Sequence, residues 1–444
     1  MSLSRVPFIV ILGATGTGKS RLAIELACRF SGEIISADSM QVYKGLKISM
    51  AKVTDEEKRM VPHHMMDIAD PNVNFVVHDF RDMALSIVIS LFNSHSVSLH
   101  ANKLPIIVGG TNYYIESILW NILINNPECT EENDEHKSLF PKEKESAVAC
   151  GRKQLKFDLE NEEDEVLYKK LCEVDPERAE ELHPRNRRRI IRSLEVFELY
   201  GVKHSKLLQE QRITGGSFLG GSLRFPNFVL FWLQCDKDVL MERLDRRVDS
   251  MLKEGLVQEL LDFHRTYNEE RSVDYTMGVF QNIGLKEFHE YLILSEEERN
   301  SEKGLVYETI DSSYKVFLLQ GDALMKQAIE DLKLHTRQYA KRQLSWVRNR
   351  LTRAHDREVP PLYTLDCTDV KQWDENVLEP ASSVLAAILP PTLINLSIHF
   401  QMCDKFCVGD NQWQAHLKSR KHHALLKRQK LKEQQSHDSA QELS

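Results

Sequence analysis

Long apolar runs are missing from this sequence of 444 residues: none approaches the roughly 18–20 residues that a bilayer-spanning helix needs. A membrane-embedded protein is therefore not expected. Cysteine is sparse and scattered, at Cys28, Cys129, Cys150, Cys172, Cys235, Cys367, Cys403 and Cys407. That spacing is no disulfide framework and fits a reducing compartment better. Residues 1–12 have one Arg, a short apolar run and no small-residue cleavage site. Neither a signal peptide nor a transit peptide is expected there. The expected location is cytoplasmic, with mitochondrial or nuclear shares left open. Internal repeats are also missing. With 42% apolar and 28% charged residues, the composition is that of a soluble globular chain and argues against wholesale disorder. The length calls for more than one domain.

Three stretches carry base and no acid, although the chain carries a net charge of -8. Arg185–Arg192 holds five arginines. Leu332–His355 holds Lys333, Arg337, Lys341, Arg342, Arg348, Arg350 and Arg353 without one acid. Lys418–Lys432 holds seven basic residues, again without acid. One such run reads as a solvated helix face. Three in an acidic protein point to a polyanionic partner.

Apolar runs at 6–12, 105–109 and 228–234 read as buried strands and 33–37 as a short strand, alternating with helices at 19–30 and 76–95. This predicts an α/β fold with a parallel sheet. Residues 165–200 read as two or three helices, and 238–265 and 321–352 as long helices. The expected layout is a P-loop NTPase-like core from 1–120 and 205–355, interrupted by a helical insertion at 121–204. A linker at 356–395, marked by Pro390-Pro391, leads to a small C-terminal C2H2-type zinc-finger module at 396–430 and a disordered tail at 431–444.

Gly13, Ala14, Thr15, Gly16, Thr17, Gly18, Lys19 and Ser20 match G-x-x-x-x-G-K-[ST] in full, between a strand and a helix. Glycines let backbone N–H groups wrap a phosphate, and the helix N-terminus adds partial positive charge. Lys19 supplies a point charge, and Ser20 can ligate Mg²⁺. The acid that follows a later strand in ordinary NTPases is absent. The strand at 105–109 ends in Gly109-Gly110-Thr111, whereas the one at 33–37 ends in Asp38. Strand ends in a parallel sheet converge on one crevice, so Asp38 and Thr111 should lie beside the phosphate loop. Asp38 reads as a metal-associated carboxylate, a general base or a helix N-cap.

The blocks GATGTGKS (13–20), ADSMQVYKG (37–45), PHHMMD (62–67) and PIIVGGTNYYIESILW (105–120) are followed in order by HPRNRRRIIRSLEVF (183–197), ERLDRRVDSMLKEGLVQEL (242–260), VFQNIGLKEF (279–288) and TRQYAKRQLSWVRNR (336–350). Together they resemble the tRNA dimethylallyltransferases (tRNA isopentenyltransferases) over nearly all of 6–350. The resemblance implies transfer of a dimethylallyl group from its diphosphate to N6 of adenosine 37, beside the anticodon in the tRNA stem-loop. Its implied catalytic residues are Asp38 as base, Thr111, and Arg247 on the diphosphate. Alone, Arg247 would read as a helix-surface charge. The implied tRNA contacts are Asp38, Ser39, Met40, Gln41, Thr111 and the run Arg188, Arg189, Ile190, Ile191 and Arg192. Arg337, Lys341 and Arg342 on the basic helix at 332–352 suit RNA phosphates, while Tyr339 and Trp346 are expected mainly to pack. One tRNA per monomer is the family expectation.

Eukaryotic members of that family add a C-terminal zinc finger. Here His416 and His422 form H-x₅-H, and Cys403 precedes His416 at the usual interval. Phe400 stands where the first cysteine belongs, and Cys407 can replace it. The expected Zn²⁺ ligands are Cys403, Cys407, His416 and His422. The other options are a contribution from His399 or His423, or a metal-free finger shaped by Phe400, Phe406 and Trp413. Competing functions are an adenylate isopentenyltransferase, a small-molecule P-loop kinase, and an RNA-binding module with a relic loop. A free nucleotide would need no such basic surfaces.

Overall fold

The structure, a computed structural model, describes residues 7–93, 103–122, 159, 162–213, 216–217, 220–225, 227–268, 275, 277–300, 321–353, 357–389, 397–400 and 405–408. Its elements are β1 (Phe8–Gly13), α1 (Lys19–Arg29), β2 (Gly32–Ser36), α2 (Asp55–Met60), β3 (His63–His64), α3 (Val77–Asn93), β4 (Leu104–Val108), α4 (Asn112–Leu119), α5 (Asp164–Val174), α6 (Pro176–Glu181), α7 (Arg187–Tyr200), α8 (His204–Ile213), β5 (Phe228–Gln234), α9 (Lys237–Lys253), α10 (Leu256–Tyr267), α11 (His289–Leu292), α12 (Glu296–Asn300), α13 (Gly321–Val347), β6 (Leu362–Asp366), α14 (Glu379–Ile388), β7 (Ser397–Phe400) and β8 (Lys405–Val408). No described helix is long and apolar enough to cross a membrane.

Six parallel strands run in the order β3-β2-β4-β1-β5-β6. Every residue of β1 and β4 is buried, and β5 is buried up to Leu233. Unbroken apolar runs of this kind suit parallel strands covered on both faces. Register carries the strand ends into line. Ile11 pairs with Val108 and Phe231, and Ser36 pairs with Val108. The phosphate loop, Asp38 and Gly109-Gly110 therefore emerge along one edge.

Contacts divide the chain into two units. The first draws on 1–118, 226–353 and 359–444, the second on 119–225 and 354–358. The second is thus wider than the helical insertion expected at 121–204. Its core gathers Leu167 and Leu171 of α5, Ala179 of α6, and Ile190, Ile191 and Leu194 of α7. Within it Ser193 Oγ lies 2.9 Å from His204 Nδ1, and burial pushes that imidazole down to about 4.

Two sequence expectations need correcting. Residues 357–389 are not a linker: β6 pairs with β5 along Leu230–Gln234, and α14 is tied to α1 by Arg29–Glu379 at 2.8 Å. β6 escaped notice because it is an edge strand in which Leu365 alone is buried. The long helix expected at 238–265 is broken into α9 and α10 at Gly255, whose φ of +102° is left-handed. The expected tail at 431–444 lies outside the described residues.

Candidate functional site

The phosphate loop folds on its own carbonyl. Ala14 O accepts from Thr17 N at 3.4 Å, Thr17 Oγ1 at 2.8 Å and Lys19 Nζ at 2.7 Å. Gly18 caps α1 with φ +88°, and a Cβ there would meet the Trp373 ring at 2.7 Å. Glycine is thus required twice over, by backbone conformation and by close approach. Trp373 is held by its Nε1 donating to Glu25 Oε2 at 2.7 Å, with Arg21 stacked 4.5 Å above its ring. Beneath the loop, Ala14 packs with Leu240 and Leu244 of α9 and Ala340 of α13.

Across from it, the chain leaving β2 turns at Asp38. Met40 N donates to Asp38 Oδ1 at 2.9 Å, which makes an Asx turn; the next helix begins only at Asp55, so Asp38 caps none. Ser39 N donates to Thr111 Oγ1 at 2.9 Å, and Thr111 Oγ1 donates to Ser39 Oγ at 3.0 Å. Gln41 Nε2 donates to Met50 O at 3.1 Å, so the segment is anchored at both ends. The ends of β2 and β4 approach so closely that a Cβ on Gly109 would fall 2.1 Å from Ala37 O. A Cβ on the next glycine, Gly110, would fall 2.9 Å from Asp38 Oδ2.

These parts line one cavity of about 850 Å³, walled also by Arg243, Arg247 and Met251 of α9 and by Leu332, Thr336, Tyr339, Arg342 and Gln343 of α13. Its volume lies in the range of small-molecule sites. Burial pushes the Lys19 ammonium down to about 8, against the pull of Asp38 and with the push of Arg247. Burial also lowers Arg247, while Asp38 opposes it. The three charges therefore feel one another across a poorly solvated space. Burial raises the Tyr339 phenol, whose O–H donates to Gly110 O at 3.0 Å.

The cavity gathers Thr15, Gly16, Gly18, Lys19, Ser20, Asp38, Ser39, Met40, Gln41, Arg247 and Arg342 from the sequence-predicted set. Gly13, Ala14 and Thr17 form the buried back of the loop, and Thr111 stands behind Ser39. Arg247 is a cavity group and not a solvated charge. Arg337 is paired with Asp245, and Lys341 is exposed on α13. In the second unit Arg188 and Arg189 are exposed, and Arg192 pairs with Glu195 at 3.3 Å. Ile190 and Ile191 correct the sequence reading: helical periodicity turns both into the core, where they offer no surface to RNA. Sequence reasoning missed Arg243, Gln343 and Trp373. Arg243 donates to Cys367 O at 2.8 Å and so fixes the end of β6. The one available signal was a polar residue, Gln343, at an inward helix position between Ala340 and Val347.

Of the expected zinc ligands, Cys403, His416 and His422 and the side chain of Cys407 lie outside the described residues. β7 and β8 form an antiparallel hairpin in which Ile398 pairs with Cys407.

A family model described as IPP transferase matches residues 41–350, and one described as isopentenyl transferase matches residues 7–65. The chain belongs to the IPP transferase family. Within that family, human tRNA dimethylallyltransferase is 42% identical over 96% of this chain and 87% of its own length. The tRNA dimethylallyltransferase of Saccharomyces cerevisiae is 31% identical over 95% of this chain and 92% of its own length. A crystal structure of a eukaryotic dimethylallyltransferase acting on tRNA has a TM-score of 0.65 and 28% identity, and covers 98% of this chain and 100% of that one. Outside the IPP transferase match, a zinc-finger double-stranded RNA-binding model matches residues 401–422.

Proposed function

We propose that the protein transfers a dimethylallyl group from dimethylallyl diphosphate to N6 of adenosine 37 in the anticodon stem-loop of tRNA, releasing diphosphate. One observation carries the proposal: a single cavity presents a phosphate loop with Lys19 and Arg247 on one side and the carboxylate of Asp38 on the other. The full-length likeness to tRNA dimethylallyltransferases supports it.

Loop amides, Lys19 and Arg247 bind the donor's diphosphate and meet the negative charge that grows as its carbon–oxygen bond breaks. N6 of adenosine is a weak nucleophile because its lone pair is delocalised into the ring. Asp38 Oδ2 accepts the N6 proton as the new nitrogen–carbon bond forms. Thr111 positions this base through Ser39. The hydroxyl of Ser20 lines the cavity and has no hydrogen bond to a described residue, which suits a Mg²⁺ held mainly by substrate oxygens. Bound there, Mg²⁺ would supply further charge for the leaving diphosphate.

The target base must leave its stack to reach the cavity. We assign its reception to Ser39, Met40, Gln41 and Arg342, which line the cavity, and contacts with backbone phosphates to the exposed Arg188, Arg189 and Lys341. In the C-terminal module we assign Zn²⁺ to Cys403, Cys407, His416 and His422, a thiolate–imidazole set that suits zinc. The hairpin of β7 and β8 agrees with the strand pair of such a finger.

A single-turnover assay tests the reading, with labelled dimethylallyl diphosphate, Mg²⁺, an anticodon stem-loop, and AMP as competing acceptor. Label in the stem-loop, lost in Asp38→Ala, is the expected result. Label in AMP alone would reassign the enzyme to free nucleotides. Normal stem-loop binding without any transfer would leave an RNA-binding module.

A further inference from the structure

Gln343 is a buried polar side chain on α13 with no part in the chemistry described above. Its amide is engaged at both ends. Oε1 accepts from Thr15 N at 2.8 Å, and Nε2 donates to Gly110 O at 2.9 Å. The backbone carbonyl of Gln343 accepts from Asn112 Nδ2 at 3.2 Å. Thr15 belongs to the loop proposed to hold the donor. Gly110 precedes Thr111, whose hydroxyl accepts from the N–H next to Asp38. One side chain therefore spans the two halves of the site.

We infer that Gln343 is a positioning residue that sets the separation between the phosphate loop and the Asp38 base, through an amide that accepts on one side and donates on the other. The inference rests on the prenyl-transfer reading, since it concerns the spacing of that reaction's two partners. A carboxamide suits the task because one rigid planar group carries both an acceptor and a donor. A hydrocarbon of the same size would hold neither half and would leave the Thr15 N–H and part of the Gly110 carbonyl unsatisfied. A carboxylate would hold the loop but repel the carbonyl. Misplacing a reacting group by a fraction of its contact distance lowers the chemical rate much more than ground-state binding.

That asymmetry makes Gln343→Glu informative. The ionised side chain accepts from Thr15 N and offers nothing to Gly110 O. The protonated side chain accepts and donates, as glutamine does. The charged and titratable groups around it are Lys19 on the loop, Asp38 after β2, Arg247 on α9, and Tyr339 and Arg342 on α13. Asp38 favours protonation of the new carboxyl, and the cations oppose it.

The experiment measures single-turnover rate and donor and stem-loop affinity for wild type, Gln343→Glu and Gln343→Leu between about pH 5.5 and pH 8, with thermal unfolding of each. At the upper pH we expect both variants to lose about 10- to 100-fold in rate, with affinities changed less than about threefold. As pH falls, the rate of Gln343→Glu relative to wild type should rise several-fold, while that of Gln343→Leu stays flat. A merely structural side chain would show no such recovery, and its loss of rate would follow its loss of folded protein. Rates equal to wild type, or a Gln343→Glu deficit that tracks Gln343→Leu at every pH, would overturn the inference. Wild-type protein that fails to prenylate the stem-loop would overturn the underlying reading instead. Should neither variant fold, Gln343→Asn keeps the carboxamide on a shorter arm, and a wild-type rate there would count against the inference.

Discussion

α7 and α13 both carry arginine-rich runs, yet the two helices turn different chemistry inward. On α7 the inward positions Ile190, Ile191 and Leu194 are buried in an apolar core, and inward Ser193 is paired with His204 within the same unit. Its arginines look outward or pair at the rim, Arg187 with Asp164 and Arg192 with Glu195. On α13 the inward face mixes Leu332, Ala340 and Val347 with Gln343, which is 4% exposed, while Tyr339 and Arg342 line the cavity. Base on a helix is therefore a poor mark of a chemical site. A polar side chain turned inward onto a cavity is a better one, because burying it without partners costs about 1–3 kcal/mol, and Gln343 lines the cavity where Ser193 of α7 does not. Here that side chain is fully partnered within the site.

The largest expected effect falls on the α13 side of this comparison. Asp38→Ala should lower single-turnover prenyl transfer by roughly 10²–10⁴-fold, in line with the loss of a general base. Stem-loop affinity should fall much less than the rate, because binding loses one hydrogen bond at N6 whereas the chemical step loses its base. A variant that transfers at wild-type rate would remove the base from the cavity and with it the contrast. Next come α7's inward residues. Ile190→Ala should destabilise the protein by about 2–5 kcal/mol, the usual cost of emptying a core position. Neighbouring Arg189→Ala should move stability by no more than about 0.5 kcal/mol, since its side chain is exposed. Urea titrations of the two variants would show whether the helix divides so cleanly.

The strands and the phosphate loop were legible in the sequence because their signals are local. Three apolar runs, one short mixed strand segment at 33–37 and one glycine-lysine motif are each read within ten residues. β6 was not legible, because an edge strand buries one residue in five and so shows no run. Trp373 was not legible either. Its place over Gly18 joins positions 355 residues apart, and no periodicity reports such a contact. The helical wall of the cavity has the same character, since Arg247 and Gln343 come from distant segments and meet Asp38 only when the sheet and two helices assemble. Strand-end convergence supplied Asp38 and family resemblance supplied Arg247; the resemblance also pointed to Ile190 and Ile191, whose side chains the fold turns into a core.

A smaller effect should follow from Lys19. Its pKa in the free protein is about 8, below the ordinary 10.5, because burial disfavours the ammonium. A bound diphosphate favours the ammonium and raises that value. Donor affinity should therefore hold below about pH 8 and fall above it, by up to about tenfold per pH unit, with a proton taken up on binding. Stability runs the other way. The folded pKa lies below the unfolded one, so the group destabilises the free protein at low pH, and the penalty is relieved as pH rises from about 8 to 10.5. Calorimetric titrations in two buffers at pH 7 and 9 would check the uptake, and Lys19→Met should abolish it.

The smallest effect belongs to α7's outward face, and it decides whether the two helices share one substrate. If Arg188 and Arg189 contact tRNA phosphates, Arg188→Gln with Arg189→Gln should weaken stem-loop or full tRNA binding several-fold. The dependence of log affinity on log salt should become shallower by about 0.9 for each phosphate that an arginine no longer neutralises. The rate at saturating tRNA should not change, because neither side chain lines the cavity. The matching change on α13, Arg342→Gln, should alter both affinity and rate, since Arg342 does line it. An equal loss of rate in both variants would mean that α7 also orders the reacting base. An unchanged salt slope in the α7 variant would leave its arginines as solvated surface, and the RNA footprint would then rest on α13 and the C-terminal module.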